Sequence, residues 1–138
     1  MNNLDLHRTE MTAYDGTPVC FVYDQDADIL EVFFGENEPA TGVELTDQIV
    51  MRLNKQTRRA VSLLLLHFSI LTERTEYGPR SYPLNKLNEV SEDLRELIIR
   101  LMTSTPVNQF LKLSYLQASP TKQLPFTFVE SQPIRAIA

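Results

Sequence analysis

The pattern of hydrophobic and polar positions predicts a first hairpin near the start of the chain. Residues 19–23 and 29–34 are runs of β-branched and aromatic side chains, and the residues between them are rich in aspartate. Such runs are typical of strands. Aspartate suits the turn because its carboxylate accepts hydrogen bonds from backbone N–H groups two residues further on. A loop is expected over residues 35–42, which begin and end with glycine and contain a proline.

A second predicted hairpin joins residues 49–53 to residues 59–68 and includes four consecutive leucines, residues 63–66. Successive side chains of a strand point to opposite faces, so this strand is apolar on both faces and both should be covered. One predicted helix is available for one face. The other face needs the C-terminal segments or a second copy of the protein. A helix over residues 60–74 is the competing interpretation, because leucine favours helices and short apolar runs do not distinguish the two.

One helix is predicted over residues 89–103, because apolar residues recur there at the i, i+3, i+4, i+7 spacing of a single helix face. The residues of this face are Leu94, Leu97, Ile98 and Leu101. Asn88 or Ser91 can cap the start of the helix, and acidic residues follow in its first turn, where the helix dipole favours them. The sequence therefore predicts an amphipathic helix that packs one face against a sheet.

The remaining pattern completes a single predicted domain of the α+β class. Residues 110–116 and 126–129 are expected to form strands, the second a short edge strand. A chain of 138 residues, with 43% hydrophobic and 22% charged residues, fits one hydrophobic core. We expect an antiparallel β-meander of four to six strands with one packed C-terminal helix. The predicted layout of domain 1–138 is a meander over about 19–68, a loop over 69–88, the helix over about 89–103, and C-terminal strands and a tail over 107–138.

The cellular compartment is suggested by what the sequence does not contain. Cys20 is the only cysteine, so an internal disulfide is excluded, as is usual in a reducing compartment. The longest apolar run is far shorter than the roughly 18 residues that span a bilayer. Residues 1–8 do not have the pattern of an export signal. We therefore expect a cytoplasmic protein without a membrane partner.

The net charge of −5 is distributed unevenly along the chain. Residues 24–47 contain eight acidic residues and no basic one, whereas residues 52–59 contain four basic residues and no acidic one. The acidic balance argues against non-specific nucleic-acid binding. However, a basic β-ribbon can enter a DNA groove, and the second predicted hairpin carries such a cluster near its tip. The members of this cluster are Arg52, Lys55, Arg58 and Arg59. The simpler interpretation is a solvated turn that attracts the acidic block.

A motif near the first hairpin suggests a family. The motif residues, in order, are Tyr23, Asp24, Ala27, Asp28 and Leu30. With this spacing, segment 23–68 resembles a family of small bacterial proteins catalogued as a domain of unknown function, which carry a Tyr-Asp-x-x-Ala-Asp-x-Leu hairpin. The resemblance covers about a third of the chain and implies a β-meander followed by a helix or tail. It implies no activity and no site residue. Glu31 stands where that family commonly has an aromatic residue.

Cys20 and His67 are the candidate catalytic residues. A histidine beside a cysteine can accept its proton and generate a nucleophilic thiolate. This requires that the two strands be neighbours and that both side chains lie on one face. The alternative for Cys20 is a small hydrophobic residue in the interior, and the alternative for His67 is a residue at the edge of the core. The pair is the basis for a hydrolase-type hypothesis.

Metal binding is weakly supported by the sequence. Asp24, Asp26 and Asp28 match the start of a calcium-binding loop. That loop requires a glycine at its sixth position and a glutamate at its twelfth, where this chain has Ile29 and Gly35. The two histidines and one cysteine do not have metal-ligand spacing. We therefore expect no metal and no cofactor.

These observations favour a small interaction or regulatory module without enzymatic activity that associates with itself. A homodimer is the default symmetric assembly, and a protein partner is not identified by the sequence. The first alternative is a hydrolase-type enzyme that uses Cys20 and His67. The second alternative is a nucleic-acid-binding regulator that acts through the hairpin of residues 52–59.

Overall fold

Six antiparallel strands form the main sheet of the protein. The structure is a computed structural model that describes residues 6–76 and 78–130. The strands are β1 (Leu6–Thr12), β2 (Pro18–Asp24), β3 (Ile29–Phe34), β4 (Thr41–Glu44), β5 (Ile49–Asn54) and β6 (Arg59–Leu66). Their spatial order is β1-β2-β3-β6-β5-β4. The first predicted hairpin is therefore β2–β3, and the second is β5–β6.

The second half of the described chain contains the helices and a smaller sheet. The helices are α1 (Phe68–Leu71) and α2 (Glu92–Met102), with 3₁₀ turns at Asn85–Glu89 and Val107–Gln109. The strands are β7 (Arg74–Thr75), β8 (Gly78–Pro79), β9 (Tyr82–Pro83), β10 (Leu111–Ser119) and β11 (Lys122–Val129). Strands β10, β11 and β9 form a three-stranded sheet, and β7 pairs with β8. The prediction of a short edge strand over residues 126–129 is wrong, because β11 pairs on both sides, with β10 and with β9. The predicted loop over residues 69–88 thus contains short elements, and the predicted tail from residue 131 lies outside the described residues.

The α+β prediction is confirmed, and the strand order adds a feature that the sequence did not show. Each half of the sheet is a three-stranded meander, β1–β2–β3 and β4–β5–β6, and the two halves join where β3 pairs with β6. The leucine run lies in β6, so the strand interpretation is correct and the helical alternative over residues 60–74 is wrong. Strands β1 and β4 were not predicted, because each offers few buried apolar side chains.

The hydrophobic core lies on one face of the six-stranded sheet. Leu63 and Leu65 of β6 point into it, with 0% and 1% of their surface exposed. The ring of Phe110 packs against Phe21 and Phe34, with centroid distances of 5.5 and 6.0 Å. Buried residues of α2, β10 and β11 belong to the same cluster. The helix and the C-terminal strands therefore cover the same face of the sheet. On the second face, side chains such as Leu64 and Leu66 stay partly exposed to solvent.

Helix α2 is fixed at its start by two contacts. Ser91 Oγ accepts a hydrogen bond from the backbone N–H of Leu94 at 3.3 Å, as the capping prediction required. The guanidinium of Arg95 donates to the carbonyls of Leu87 and Val90, which ties the preceding 3₁₀ turn to the helix. The helix is shorter than the predicted residues 89–103 because residues 85–89 form that turn.

Candidate interaction face

The face of the six-stranded sheet that points away from the core, called the outer face below, carries both apolar and polar side chains. Its apolar side chains are Cys20, Val22, Ile29, Phe33, Val50, Leu64 and Leu66. Each keeps partial exposure to solvent, and none belongs to the core cluster. They lie together because β2, β3, β6 and β5 are neighbours, so side chains in the same phase align across the four strands. The outer face therefore presents partly exposed apolar side chains on both sides of the polar residues Glu31 and Ser62.

Three polar side chains form a hydrogen-bonded network among these apolar side chains. Ser62 Oγ donates to Glu31 Oε2 at 2.8 Å, and Arg52 Nη1 lies 3.3 Å from the same oxygen. Arg52 Nη1 also donates to Ser62 Oγ at 3.1 Å. Arg52 and Glu31 keep 28% and 24% of their side-chain exposure. Because the carboxylate has both a hydroxyl and a guanidinium partner, this network can be covered without leaving an unpaired charge.

The predicted basic cluster is divided between intramolecular contacts and the solvent. Arg52 belongs to the network on the outer face. Arg59 Nη2 lies 3.0 Å from Glu38 Oε2, and the Arg59 guanidinium also donates to the carbonyl of Phe34. Hydrogen bonds from Arg59 lower the pKa of Glu38. Lys55 and Arg58 lie on the exposed turn between β5 and β6. Two of the four basic side chains are thus already paired with residues of the acidic block.

The candidate pair Cys20 and His67 is not brought together. Cys20 lies opposite Phe33 in the β2–β3 ladder. Leu66, which precedes His67, lies opposite Ile29 in the β3–β6 ladder. Four residues of β3 separate these two positions, about 13 Å at a rise of about 3.3 Å per residue. The register therefore leaves the thiol and the imidazole too far apart for proton transfer.

The aspartates of the first hairpin have structural partners. Asp24 Oδ1 accepts a hydrogen bond from the backbone N–H of Ala27 at 3.2 Å within the turn. Asp28 Oδ1 accepts one from the Tyr23 hydroxyl at 2.8 Å, and Asp28 Oδ2 accepts one from Ser69 Oγ at 2.6 Å. The Tyr-Asp-x-x-Ala-Asp motif therefore closes a turn and fastens it to the residues that follow β6.

The charge of Asp28 is stabilised by these partners. Burial alone would raise the pKa of the Asp28 carboxyl, but hydrogen bonds from Ser69 and Tyr23 and the nearby His67 outweigh it, so the net pKa is lowered. The same hydrogen bond raises the pKa of the Tyr23 hydroxyl. The Asp28 carboxylate is therefore ionised at neutral pH and acts as a structural clamp, because it accepts hydrogen bonds from both Tyr23 and Ser69.

The described chain gives no support for a metal site or a membrane-spanning helix. Within residues 6–76 and 78–130, histidine, cysteine and acidic side chains do not form a group of three or more that could hold a metal ion. The calcium-like spacing of Asp24, Asp26 and Asp28 thus lies in a turn without such a group. Across the same residues, every helix is too short or too polar to cross a bilayer.

Sequence reasoning did not single out Glu31 and Ser62 as parts of one site. The signal was present in part, since Glu31 interrupts an apolar strand and Ser62 lies beside the leucine run. Their contact depends on the pairing of β3 with β6, which joins residues 31 positions apart. Such long-range pairing does not follow from local patterns.

Comparisons with known proteins do not extend the family resemblance. It rests on the spacing of Tyr23, Asp24, Ala27, Asp28 and Leu30, whose aspartates act in the turn described above. The resemblance of segment 23–68 stays a prediction. No family model, curated protein or solved structure matches this chain.

Proposed function

We propose that this protein is a non-enzymatic interaction module that pairs with a second copy of itself through the outer face. The observation that carries the proposal is the set of seven partly exposed apolar side chains that the described chain places on this face around the Glu31–Ser62–Arg52 network. Apolar area that is removed from water stabilises an association in proportion to the area covered. A network that is already hydrogen-bonded internally lowers the desolvation cost of covering it.

The size of the outer face suits sheet-on-sheet packing. Strands spaced about 4.8 Å apart, with about 3.3 Å per residue along each strand, give six strands a face of roughly 24 by 20 Å. An interface of standard size covers about 800 Å² of accessible surface on each partner. The flat outline of roughly 480 Å² is smaller than that area, so pairing must use the whole face and the side chains at its rim, with the two sheets packed about 10 Å apart. A two-fold axis is the default arrangement because the same surface serves both copies.

The proposal is tested by sedimentation or light scattering over a range of protein concentrations. Wild-type protein is expected to form a dimer, and Leu64→Asp is expected to be monomeric because it replaces an apolar contact on the face by a charge that a partner would have to cover. Leu116→Asp is the matched control, since Leu116 is a leucine on β10 with 55% exposure and lies outside this face. This control variant should remain dimeric.

Two results would contradict the proposal. One is a wild-type protein that stays monomeric at high concentration. The other is a folded Leu64→Asp variant that stays dimeric; if Leu116→Asp then becomes monomeric, the interface involves β10 instead. Circular dichroism checks that each variant is folded. Val50→Lys provides a second charge at the same face should Leu64→Asp fail to fold.

The two alternative functions have less support. Cys20 borders an open cleft of about 490 Å³ that also contains Arg8 and Glu10, but His67 is not among the residues that line it. A hydrolase at this cleft would lack the proposed base. For the nucleic-acid hypothesis, the charges of Arg52 and Arg59 are paired with Glu31 and Glu38, and paired cations contribute less to phosphate binding than free ones.

A further inference from the structure

A groove runs along the β4 edge of the six-stranded sheet. It lies between β4 and the segment that leads from the 3₁₀ turn into α2, and its volume is about 300 Å³. The lining residues are Thr41, Gly42, Val43, Glu44, Lys86, Glu89, Val90 and Leu94. One wall is therefore an edge strand, and the other is the start of an amphipathic helix.

The strand wall offers hydrogen-bonding groups of the backbone. In the described chain, β4 pairs with β5 on one side and ends the sheet on the other. An edge strand presents a row of N–H and C=O groups to which a further strand can add. The helix wall offers Val90 and Leu94, which are partly buried against the core and leave part of their surface in the groove. An edge strand beside such a helix is the arrangement in which peptides bind by strand addition.

The charge of the groove is negative. Lys86 Nζ lies 3.1 Å from Glu44 Oε2 and 3.3 Å from Asp47 Oδ1. The two carboxylates therefore offset its single charge, and their hydrogen bonds raise the pKa of the Lys86 ammonium. Glu89 adds a further carboxylate on the helix side. Three acidic groups against one basic group repel a second copy of the same edge and attract a basic ligand.

We propose that this groove binds an extended peptide that alternates apolar and basic side chains and adds to β4 as a further strand. Side chains of an added strand alternate between its two faces. Those on the core side lie over Val90 and Leu94, the basic ones on the other side reach Glu44, and Glu89 adds to the negative potential of the groove. The groove adjoins the outer face, since Glu44 lies opposite Val50 in the β4–β5 ladder, but strand addition uses the free edge of β4 and does not require the dimer.

The binding is tested with a fluorescein-labelled octapeptide of alternating valine and lysine, followed by fluorescence anisotropy. Saturable binding that weakens as salt is raised is expected, and the matching peptide of valine and glutamate should not bind. Two further lysine peptides carry N-methyl groups on alternate residues, one on the valines and one on the lysines. Only one set of N–H groups faces β4, so one of the two should bind about tenfold more weakly than the other.

Two matched variants locate the site. Glu89→Lys should weaken binding of the lysine peptide about three- to tenfold, the range expected for reversing one exposed charge. Glu96→Lys changes the net charge by the same amount at an exposed position of α2 outside the groove lining, and should change binding less than about twofold.

The outcomes that overturn the inference are distinct. Strand addition at β4 would be excluded if the lysine peptide shows no saturable binding or if the glutamate peptide binds equally well. It would also be excluded if the two methylated peptides bind equally, or if Glu89→Lys and Glu96→Lys change binding equally. Dissociation of a dimer on addition of the peptide would assign this edge to the second copy instead. The monomeric Leu64→Asp variant should bind the peptide normally, which separates failure of this inference from failure of the dimer.

Discussion

At the scale of single residues, Asp28 links two parts of the chain that are distant in sequence. Its backbone is left-handed, with φ at 56°, a conformation that aspartate and asparagine tolerate better than most residues. Its carbonyl accepts a hydrogen bond from Phe68 N at 3.0 Å, and its carboxylate accepts one from Ser69 Oγ. The turn between β2 and β3 is thereby joined to the start of α1.

Replacing Asp28 by asparagine should lower the free energy of unfolding by about 1–3 kcal/mol, the range for a hydrogen bond to a charged group. Asparagine tolerates the left-handed backbone, so the change isolates the carboxylate. Tyr23→Phe removes only one of the hydrogen bonds and should cost about 1 kcal/mol. Urea denaturation measures both. An Asp28→Asn variant as stable as wild type would show that the clamp contributes nothing.

The effect of Asp28 should also depend on pH. The pKa of this carboxyl is lowered in the folded state from its ordinary value of 3.8. A lowered pKa contributes stability that is fully present above the unfolded value and is lost as pH falls through the folded value. The stability difference between wild type and Asp28→Asn should therefore be constant near neutral pH and shrink below about pH 4. A difference that stays constant down to pH 2 would contradict the assignment.

At the scale of elements, the start of helix α2 is determined by a local capping residue, Ser91. Ser91 caps the first turn, and Glu92 and Asp93 follow where the helix dipole favours acidic residues. The buried residues Leu97 and Ile98 fix the face that meets the sheet. Capping and apolar spacing therefore agree, and the sequence alone located this helix within three residues at each end.

Replacing Ser91 by alanine should lower the free energy of unfolding by about 0.5–2 kcal/mol, because the N–H of Leu94 loses its acceptor. Ser91→Asp keeps an acceptor and should restore most of the loss. Ser104→Ala is a control at the other end of the helix, where an exposed hydroxyl donates to the carbonyl of Arg100, and it should change stability by less than about 0.5 kcal/mol. Chemical denaturation followed by circular dichroism distinguishes the three variants. Equal effects of Ser91→Ala and Ser104→Ala would exclude a specific capping role.

The strands were predicted where buried apolar residues alternate and missed where they do not. On β1 the positions that face the core side are His7, Thr9 and Met11, so the period-two pattern contains a single hydrophobic residue. On β4 only Val43 is buried. Neither strand can be recognised from its own residues, because each is held by pairing with a neighbour.

The candidate site was less predictable than the elements. The hypothesis for Cys20 and His67 required a register that local sequence does not determine. The network of Glu31 and Ser62 required the contact of β3 with β6, which joins the two halves of the sheet. Residue types thus indicated possible chemistry, but the long-range pairing of the strands determines which side chains are in contact.

At the scale of the whole molecule, the proposed dimer makes stability depend on protein concentration. A species that is stabilised by a partner melts at a higher temperature when that partner is more concentrated. The midpoint of thermal unfolding of wild-type protein should rise with protein concentration, and that of Leu64→Asp should not. Both midpoints measured over a wide concentration range test the same interface as the sedimentation experiment.

The two open edges of the main sheet, β1 and β4, determine whether further copies can add to the assembly. A sheet that added copies edge to edge would grow into a filament without a fixed length. On β1 the charged residues Arg8 and Glu10 lie along the edge strand, and β4 is four residues long and ends at Glu44. Short and charged edges oppose polymerisation. The proposed face-to-face pairing about a two-fold axis would cover the apolar side chains of the outer face in one step, so the assembly is expected to close at two chains.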